Sequence, residues 1–168
     1  MSAKAAVLVL AYGSPENLDD MREYLLDIRG GRETPDDLVK EMTERYRAAG
    51  GSPLNRWTQA QAHVLNQVLQ QRGQSPRVYV GMRHWHPRIE SAVQNMTEDG
   101  ITEATAIVMA PHYSTLSVSR YMGLVEKANK ELGSPIRFFF VTSWWKQPRF
   151  LDALEAHAVR DAVERGVA

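Results

Sequence analysis

The sequence predicts a doubly wound, three-layer α/β domain with a four-stranded parallel sheet. Four short apolar segments occur along the chain without the polar alternation of a half-exposed strand, which favours strands covered on both faces. Segments with apolar residues at helical spacing separate them, and alternating strands and helices are typical of parallel sheets. Residues 1–168 contain no internal repeat and no linker, so we expect one domain.

Each predicted strand is followed by a sequence that forms a loop. The strand segments are residues 5–11 (AAVLVLA), 77–82 (RVYVGM), 104–110 (ATAIVMA) and 136–142 (IRFFFVT). The loops that follow them begin, in that order, with Tyr-Gly-Ser, Arg-His-Trp-His, a Pro-His-Tyr-Ser segment and Ser-Trp-Trp. Ligands of such folds bind beyond the carboxyl ends of the strands, so these aromatic and polar loops predict where the site lies.

Helical spacing of apolar residues predicts a helix in each of the remaining segments. In order, these helices cover approximately residues 16–28, 34–49, 58–71, 89–96, 117–132 and 148–165. Glycines follow several of them, as is typical of helix ends, and Thr34-Pro35 is a typical helix start.

Composition excludes several classes of function. Lysine plus arginine and aspartate plus glutamate each number 20, so no net charge is available to attract nucleic acid or an anionic membrane. The chain has no cysteine, which excludes disulfides and thiolate-bound metals. The apolar run 5–11 is too short to span a membrane and lacks the features of a signal peptide. We therefore expect no membrane insertion and a cytoplasmic location.

Three common uses of this fold lack their sequence motifs. The chain contains no G-x-G-x-x-G after its first strand, no G-x-x-x-x-G-K-[ST] and no G-x-S-x-G. A dinucleotide site, a phosphate loop and a nucleophile elbow are therefore disfavoured, and so is a generic flavodoxin-like nucleotide binder.

Aromatic and histidine side chains carry the first candidate chemistry. Tyr12 follows the first strand and is suited to ligate a metal or face a flat ligand, although a core-capping role explains it as well. His84 and His86 flank Trp85, and two histidines on one face of an extended segment would form a metal clamp. Two partly buried histidines with one hydrogen bond each explain the same pair.

Arginine and hydroxyl side chains form a second group of candidate binding residues. The planar guanidinium groups of Arg29 and Arg45 suit carboxylate ligands. Ion pairs with neighbouring glutamates on a solvated surface also explain both arginines, and taken alone the two residues favour that explanation. Ser52 offers a hydroxyl donor, but it is also a good cap for a turn or a helix.

Taken together, these segments resemble the N-terminal half of ferrochelatase in order and spacing. The matching stretches are Ala11–Pro15, Tyr24-Leu25, Ile28–Arg32, Arg45-Tyr46, Gly50–Leu54, Thr58, Gln61-Ala62, Tyr79–His84, Asp99–Ile101, Ala110–Ser114 and Ser117-Val118. The resemblance runs from the first predicted strand to the last predicted helix.

The resemblance implies a lyase of haem biosynthesis that inserts ferrous iron into a porphyrin. In the family, the porphyrin lies in a cleft between two similar Rossmann- or flavodoxin-like, chelatase-type domains, and residues 1–168 correspond to the N-terminal one. Iron and porphyrin are substrates, and no obligate cofactor is implied. The family's principal catalytic histidine and its partner glutamate belong to the second domain, which this chain lacks.

The resemblance also implies roles for individual residues. Tyr12 would lie near the metal on one face of the porphyrin, and His84 would lie in the cleft and contact the entering metal. The porphyrin propionates would be held by Arg29, Arg45, Ser52 and Tyr121. The loop 112–119 would line the pocket.

Two features favour the soluble coproporphyrin III branch of the family over the protoporphyrin IX branch. Tyr12 occurs together with Arg29 and Arg45, and residues 30–40 (GGRETPDDLVK) are polar where membrane-associated members have an apolar lip. The sequence thus predicts a polar porphyrin as the partner, with no nucleic acid.

Other interpretations stay open at this stage. The chain is expected to be one half of the enzyme, to pair with a separate second half, or to pair with a second copy as small homodimeric chelatases do. A porphyrin carrier without catalysis and a docking partner of another protein are alternatives of other classes. An isolated half would expose Trp85, Trp144 and Trp145 as an apolar patch, which predicts weak self-association or a swapped dimer.

Overall fold

Four parallel strands form one sheet in the order β2-β1-β3-β4. They are β1 (Ala5–Ala11), β2 (Arg77–Met82), β3 (Glu103–Val108) and β4 (Arg137–Val141). The computed structural model describes residues 4–74 and 76–164. Leu8 of the central strand β1 pairs with Tyr79 on one side and with Ala106 on the other, so β1 is hydrogen-bonded along both edges.

The helices are α1 (Met21–Ile28), α2 (Asp36–Ala48), α3 (Leu54–Gln71), α4 (Ile89–Glu98), α5 (Val118–Glu131) and α6 (Pro148–Glu164). A short 3-10 turn, Leu18–Asp20, precedes α1 where the sequence predicted α-helix. Helix α3 begins four residues earlier than predicted, because Pro53 occupies its N-cap and leaves Leu54 free to begin the first turn. Arg165, the predicted end of the last helix, lies outside the described residues.

The main core lies between the sheet and helices α4 and α5. Leu8 and Leu10 of β1 are fully buried there, and Ile89, Val93 and Val125 of the two helices are buried against them. Helices α1 to α3 connect β1 to β2, whereas α4 and α5 make the crossovers to β3 and β4. The predicted doubly wound α/β fold with a four-stranded parallel sheet is confirmed.

A second apolar cluster joins helix α1 to the end of β2. Its buried members are Met21, Tyr24 and Leu25 of α1 together with Met82 and Trp85. The expectation that Trp85 lies on an exposed patch is wrong: its side chain is 6% exposed and meets the ring of Tyr24 edge to face. Trp145, by contrast, is 41% exposed.

Part of the sheet face opposite α4 and α5 is open. A groove of about 750 Å³ runs there between helix α3 and the strands, lined by apolar residues that include Val7, Leu65, Ile107 and Val141. Helix α6 leaves the side chains of Leu151, Leu154 and Val159 exposed. Among the described helices, none has the length and apolar character needed to cross a membrane.

Candidate functional site

The loops after β1 and β2 are hydrogen-bonded to each other at the carboxyl edge of the sheet. The backbone N–H of Arg83 donates to the carbonyl oxygen of Ala11 at 2.9 Å, and that of His84 donates to Tyr12 at 2.8 Å. These bonds join the two loops directly after the last paired residues of the strands, Ala11 and Met82. They bring Tyr12 and His84, which are far apart in sequence, to the same place.

The rings of Tyr12 and His84 are in contact. Their centroids are 4.5 Å apart and the planes are inclined by 51°. His84 is 7% exposed, whereas Tyr12 is 40% exposed and faces solvent at this edge. The two side chains that the sequence predicted as metal contacts therefore form a pair, with the phenol outermost.

Asp27 contacts the imidazole of His84, and Arg88 in turn binds Asp27. Nδ1 of His84 lies 2.6 Å from Oδ2 of Asp27, and Nη1 of Arg88 donates to Oδ1 of the same carboxylate at 2.7 Å. Burial lowers the pKa of His84 below its ordinary value, with Asp27 opposing this shift and Arg83 adding to it. Sequence reasoning missed Asp27 and Arg88, because nothing in a linear pattern links them to a histidine on another element.

Tyr121 lies buried beneath Arg83 at the start of α5. The guanidinium carbon of Arg83 is 5.8 Å from the centre of the Tyr121 ring, and the ring is 3% exposed. Burial raises the pKa of Tyr121 to about 12, so the phenol stays neutral and can donate a hydrogen bond. Its location is that of a core residue whose polar end lies near the site loops.

Arg29 ends helix α1, two residues after Asp27. It is half-buried, and its Nε atom is buried without a hydrogen-bond partner. A buried guanidinium nitrogen without an acceptor is uncommon in a folded protein.

For Arg45 and Ser52, the structure is compatible both with ligand binding and with the local contacts that the sequence suggested. Arg45 is 68% exposed and forms an ion pair with Glu41 at 2.6 Å, the local pairing that the sequence left open. Ser52 is half-buried, and its Oγ accepts a hydrogen bond from the backbone N–H of Leu54 at 3.3 Å, as a helix cap does.

Aromatic contacts fix helix α2, which carries Arg45, to the site loops. Tyr46 meets Tyr24 at 6.4 Å between ring centroids, and Tyr24 meets Trp85 at 6.0 Å. The Tyr24 hydroxyl also donates to the carbonyl oxygen of Gly13 at 3.2 Å. Arg45 therefore directly precedes Tyr46, whose ring is connected through the ring of Tyr24 to Trp85, the residue beside His84.

His84 and His86 do not form the metal clamp that the sequence left open. His84 is buried and borders a cleft of about 700 Å³, whereas His86 is exposed and borders a separate one with Ser52 and Asn55. Residues 83–87 bend instead of running extended, so alternate side chains do not share a face. His112 stacks on Trp145 at 5.9 Å.

The cleft beside His84 is rich in charge. Its lining includes three arginines and two carboxylates, namely Asp27, Arg83, Arg88, Glu90 and Arg120. Within the described ranges, no three or more histidine, cysteine, aspartate or glutamate side chains are grouped as a metal site would require.

Fold and site together define a doubly wound α/β domain with a tyrosine–histidine pair at the carboxyl edge of its sheet. The chain belongs to the ferrochelatase family, whose model, described as ferrochelatase, matches residues 4–166.

Curated relatives agree with this assignment. The chain is similar to a ferrochelatase of Deinococcus radiodurans, with 43% identity over 94% of this chain and 50% of the relative. It is 40% identical to a coproporphyrin III ferrochelatase of Listeria monocytogenes over 90% of this chain and 50% of the relative. The chain thus spans half the length of these relatives.

A solved structure shows the same fold. It is a putative cobalamin biosynthesis CbiX protein from Marinobacter aquaeolei, which matches with a TM-score of 0.50 and 13% sequence identity. The match covers 96% of this chain and 98% of that one. At this identity, the likeness concerns the fold alone.

Proposed function

We propose that this chain is the N-terminal, porphyrin-binding half of a ferrochelatase that inserts ferrous iron into coproporphyrin III in the cytoplasm. The observation that carries the proposal is the contact of Tyr12 with His84 at the carboxyl edge of the sheet. Family membership supports it, and so do relatives named coproporphyrin III ferrochelatase. Protoporphyrin IX is the alternative substrate.

Metal insertion exchanges two pyrrole protons for one divalent ion. One face of the porphyrin would lie on the exposed ring of Tyr12, with the unprotonated nitrogen of His84 next to it. A hydrogen-bond acceptor at this position helps to orient or accept a pyrrole N–H, or to meet the incoming metal ion. The partly buried contact of two flat rings gives the porphyrin a fixed surface against which its own ring can be bent.

Arginine side chains would orient the porphyrin through its propionates. Arg29 offers a buried guanidinium nitrogen without a partner, and Arg45 offers an exposed one that already binds a carboxylate. Ser52 and the neutral hydroxyl of Tyr121 would add hydrogen bonds. Coproporphyrin has four propionates and protoporphyrin has two, so coproporphyrin can form more arginine–carboxylate contacts.

The other side of the cleft would come from a second domain, in the same protein or in a partner chain, or from a second copy of this chain. That the chain matches one half of its relatives supports this arrangement. Iron is a substrate in this proposal, and the binding half needs no resident cofactor.

An absorbance titration with coproporphyrin III tests the binding step. We expect a shifted Soret band, and we expect Arg29→Gln to weaken binding by about tenfold or more, since a charged hydrogen bond contributes about 1.5–3 kcal/mol. Arg47→Gln, which changes an exposed arginine on α2, is the matched control. Unchanged spectra with either porphyrin would count against the proposal.

A second measurement separates an enzyme from a porphyrin-binding module. The purified chain is mixed with coproporphyrin III and ferrous or zinc ion without oxygen, and the visible bands are followed. Insertion faster than in the protein-free mixture would show that this half is catalytically sufficient. Binding without insertion would show that this chain holds the porphyrin, and that metal insertion requires the second domain.

A further inference from the structure

The carboxylate of Asp27 has both oxygens engaged by different partners. Oδ2 lies 2.6 Å from Nδ1 of His84, and Oδ1 accepts a hydrogen bond from Arg88 at 2.7 Å. An ionised carboxylate only accepts hydrogen bonds, so Nδ1 of His84 must carry a proton. In a neutral imidazole, Nε2 is then the nitrogen with a free electron pair.

The group that orients the imidazole is itself fixed. Asp27 belongs to the last turn of α1, which is anchored in the second core cluster by Tyr24 and Leu25. Arg88 also donates to the backbone carbonyl oxygen of Arg83 at 3.3 Å. The side chains of Asp27 and Arg88 are 30% and 23% exposed, so their pairing is largely shielded from water.

We propose that Asp27, clamped by Arg88, is a positioning residue that fixes His84 in the Nδ1-protonated tautomer and leaves Nε2 as the acceptor beside Tyr12. The part of this proposal that concerns the ligand of Nε2 rests on the proposed function. The part that concerns the tautomer does not, because it follows from contacts within the chain. Asp27 also lies two residues before Arg29, so one helix end would place both the imidazole and a propionate-binding guanidinium.

A purely structural ion pair would behave differently. Its loss would lower stability without selecting a tautomer, and the replacement of Asp27 by any residue of similar shape would have the same effect on His84. Asparagine provides the contrast. Arg88 would attract the amide oxygen, and the amide N–H group would then face Nδ1 of His84 as a donor. The favoured tautomer should therefore reverse.

The test is ¹⁵N NMR of the histidine ring nitrogens at about pH 8, where an ordinary histidine is neutral. In the unmodified chain, we expect a protonated Nδ1 and an unprotonated Nε2 for His84, assigned with His84→Gln. In Asp27→Asn, we expect the two ring nitrogens to exchange their chemical shifts. Asp36→Asn is the matched control, because Asp36 also pairs with an arginine, Arg22, but on an exposed surface.

Two outcomes would overturn the proposal. One is an Nε2-protonated His84 in the unmodified chain. The other is an unchanged tautomer in Asp27→Asn when circular dichroism shows that the variant is folded. Should that variant fail to fold, Asp27→Glu replaces it, and the proposal then requires the Nδ1-protonated tautomer to persist with the longer carboxylate.

The rate of zinc insertion into coproporphyrin III gives the functional readout. It is measured with the second half of the cleft present, whether that half is a second domain, a partner chain or a second copy of this chain. We expect Asp27→Asn to lower the rate about 10–100-fold, the usual effect of losing the partner that orients a metal-contacting histidine, while porphyrin affinity changes less. Asp36→Asn should leave both unchanged. A reversed tautomer together with an unaltered rate would overturn the role of Nε2, whereas absence of porphyrin binding by the unmodified protein would overturn the proposed function alone.

Discussion

Gly13 lies so close to Trp85 that a Cβ atom on Gly13 would be 2.7 Å from Cβ of Trp85 and 2.8 Å from its backbone nitrogen. Gly13 also has a φ of +84°, in the left-handed region that disfavours other residues. We expect Gly13→Ala to lower the free energy of unfolding by about 2–4 kcal/mol, the sum of backbone strain and overpacking. Urea unfolding measures the loss.

Gly100 provides the control for that substitution. Its φ is +71°, but a Cβ atom there would meet nothing within 4 Å. Gly100→Ala should therefore cost only the backbone strain, about 1 kcal/mol. Equal losses in the two variants would contradict the close approach of the Tyr12 loop to the Trp85 loop. The same close approach sets Tyr12 next to His84.

The local pattern of the sequence predicted the strands well because each is a short apolar run bounded by turn-forming residues. Residues 5–11 form β1 with the bounds that were predicted. Strand β3 runs from Glu103 to Val108 instead of from residue 104 to residue 110, a difference of one or two residues that is usual at the ends of such elements. Doubly wound topology followed from the order of the elements alone.

The site was only partly predictable for a physical reason. Tyr12 and His84 each follow a strand, and parallel strands place such residues at one edge of the sheet. Asp27 meets His84 across 57 positions of sequence, and on its helix it looks like any other exposed acid. Trp85 was wrongly expected at the surface, because the bend after β2 turns its side chain towards Tyr24.

Asn55 connects helix α3 to the loop that carries Tyr12. Its amide accepts from the backbone N–H of Ser14 at 3.0 Å and donates to the carbonyl oxygen of Ser14 at 2.8 Å, in a buried position. We expect Asn55→Ala to cost about 2–3 kcal/mol, because two buried backbone groups lose their partner. It should also weaken coproporphyrin binding, since the loop that carries Tyr12 loses its support. Thermal unfolding and the absorbance titration measure the two effects.

Asn129 makes the same kind of paired contact away from the site. It accepts from the N–H of Ile136 at 3.2 Å and donates to its carbonyl oxygen at 2.8 Å. Asn129→Ala should lose similar stability, yet keep the porphyrin affinity of the unmodified chain. If both variants weaken binding to the same extent, general destabilisation explains the effect and the specific role of Asn55 is refuted.

Protonation of Asp99 in acid is predicted to lower the free energy of unfolding. The hydroxyl of Tyr79 donates to Oδ2 of Asp99 at 2.6 Å, and Arg77 lies 2.6 Å from the same oxygen. Both contacts hold the pKa of Asp99 below its ordinary value, with Tyr79 the larger cause. The folded state thus favours the ionised form. The stabilisation is present above the unfolded pKa of about 4 and is lost as pH falls through the lower folded pKa.

Tyr79→Phe tests this relationship. The pKa of Asp99 should rise towards its ordinary value, and the acid loss of stability that depends on Asp99 should become smaller. Carbon-13 NMR of the aspartate carboxyl groups measures the pKa, and unfolding at several acidic pH values measures the stability. Tyr113→Phe, at a tyrosine that is 52% exposed, should leave the titration of Asp99 unchanged.

Helix α6 is predicted to mediate weak self-association. Leu151 and Leu154 are 45% and 49% exposed, and the open groove beside Val7 and Ile107 offers an apolar surface of the same kind. Covering the exposed half of Leu154 contributes about 0.8–1.5 kcal/mol, so Leu154→Glu should weaken association about four- to tenfold. Sedimentation velocity over a wide range of concentrations measures the association.

Val64→Glu, at an exposed valine of α3, is the control for added charge. A monomer at every concentration in the unmodified chain would exclude pairing through this helix and favour a second domain as the partner of the cleft.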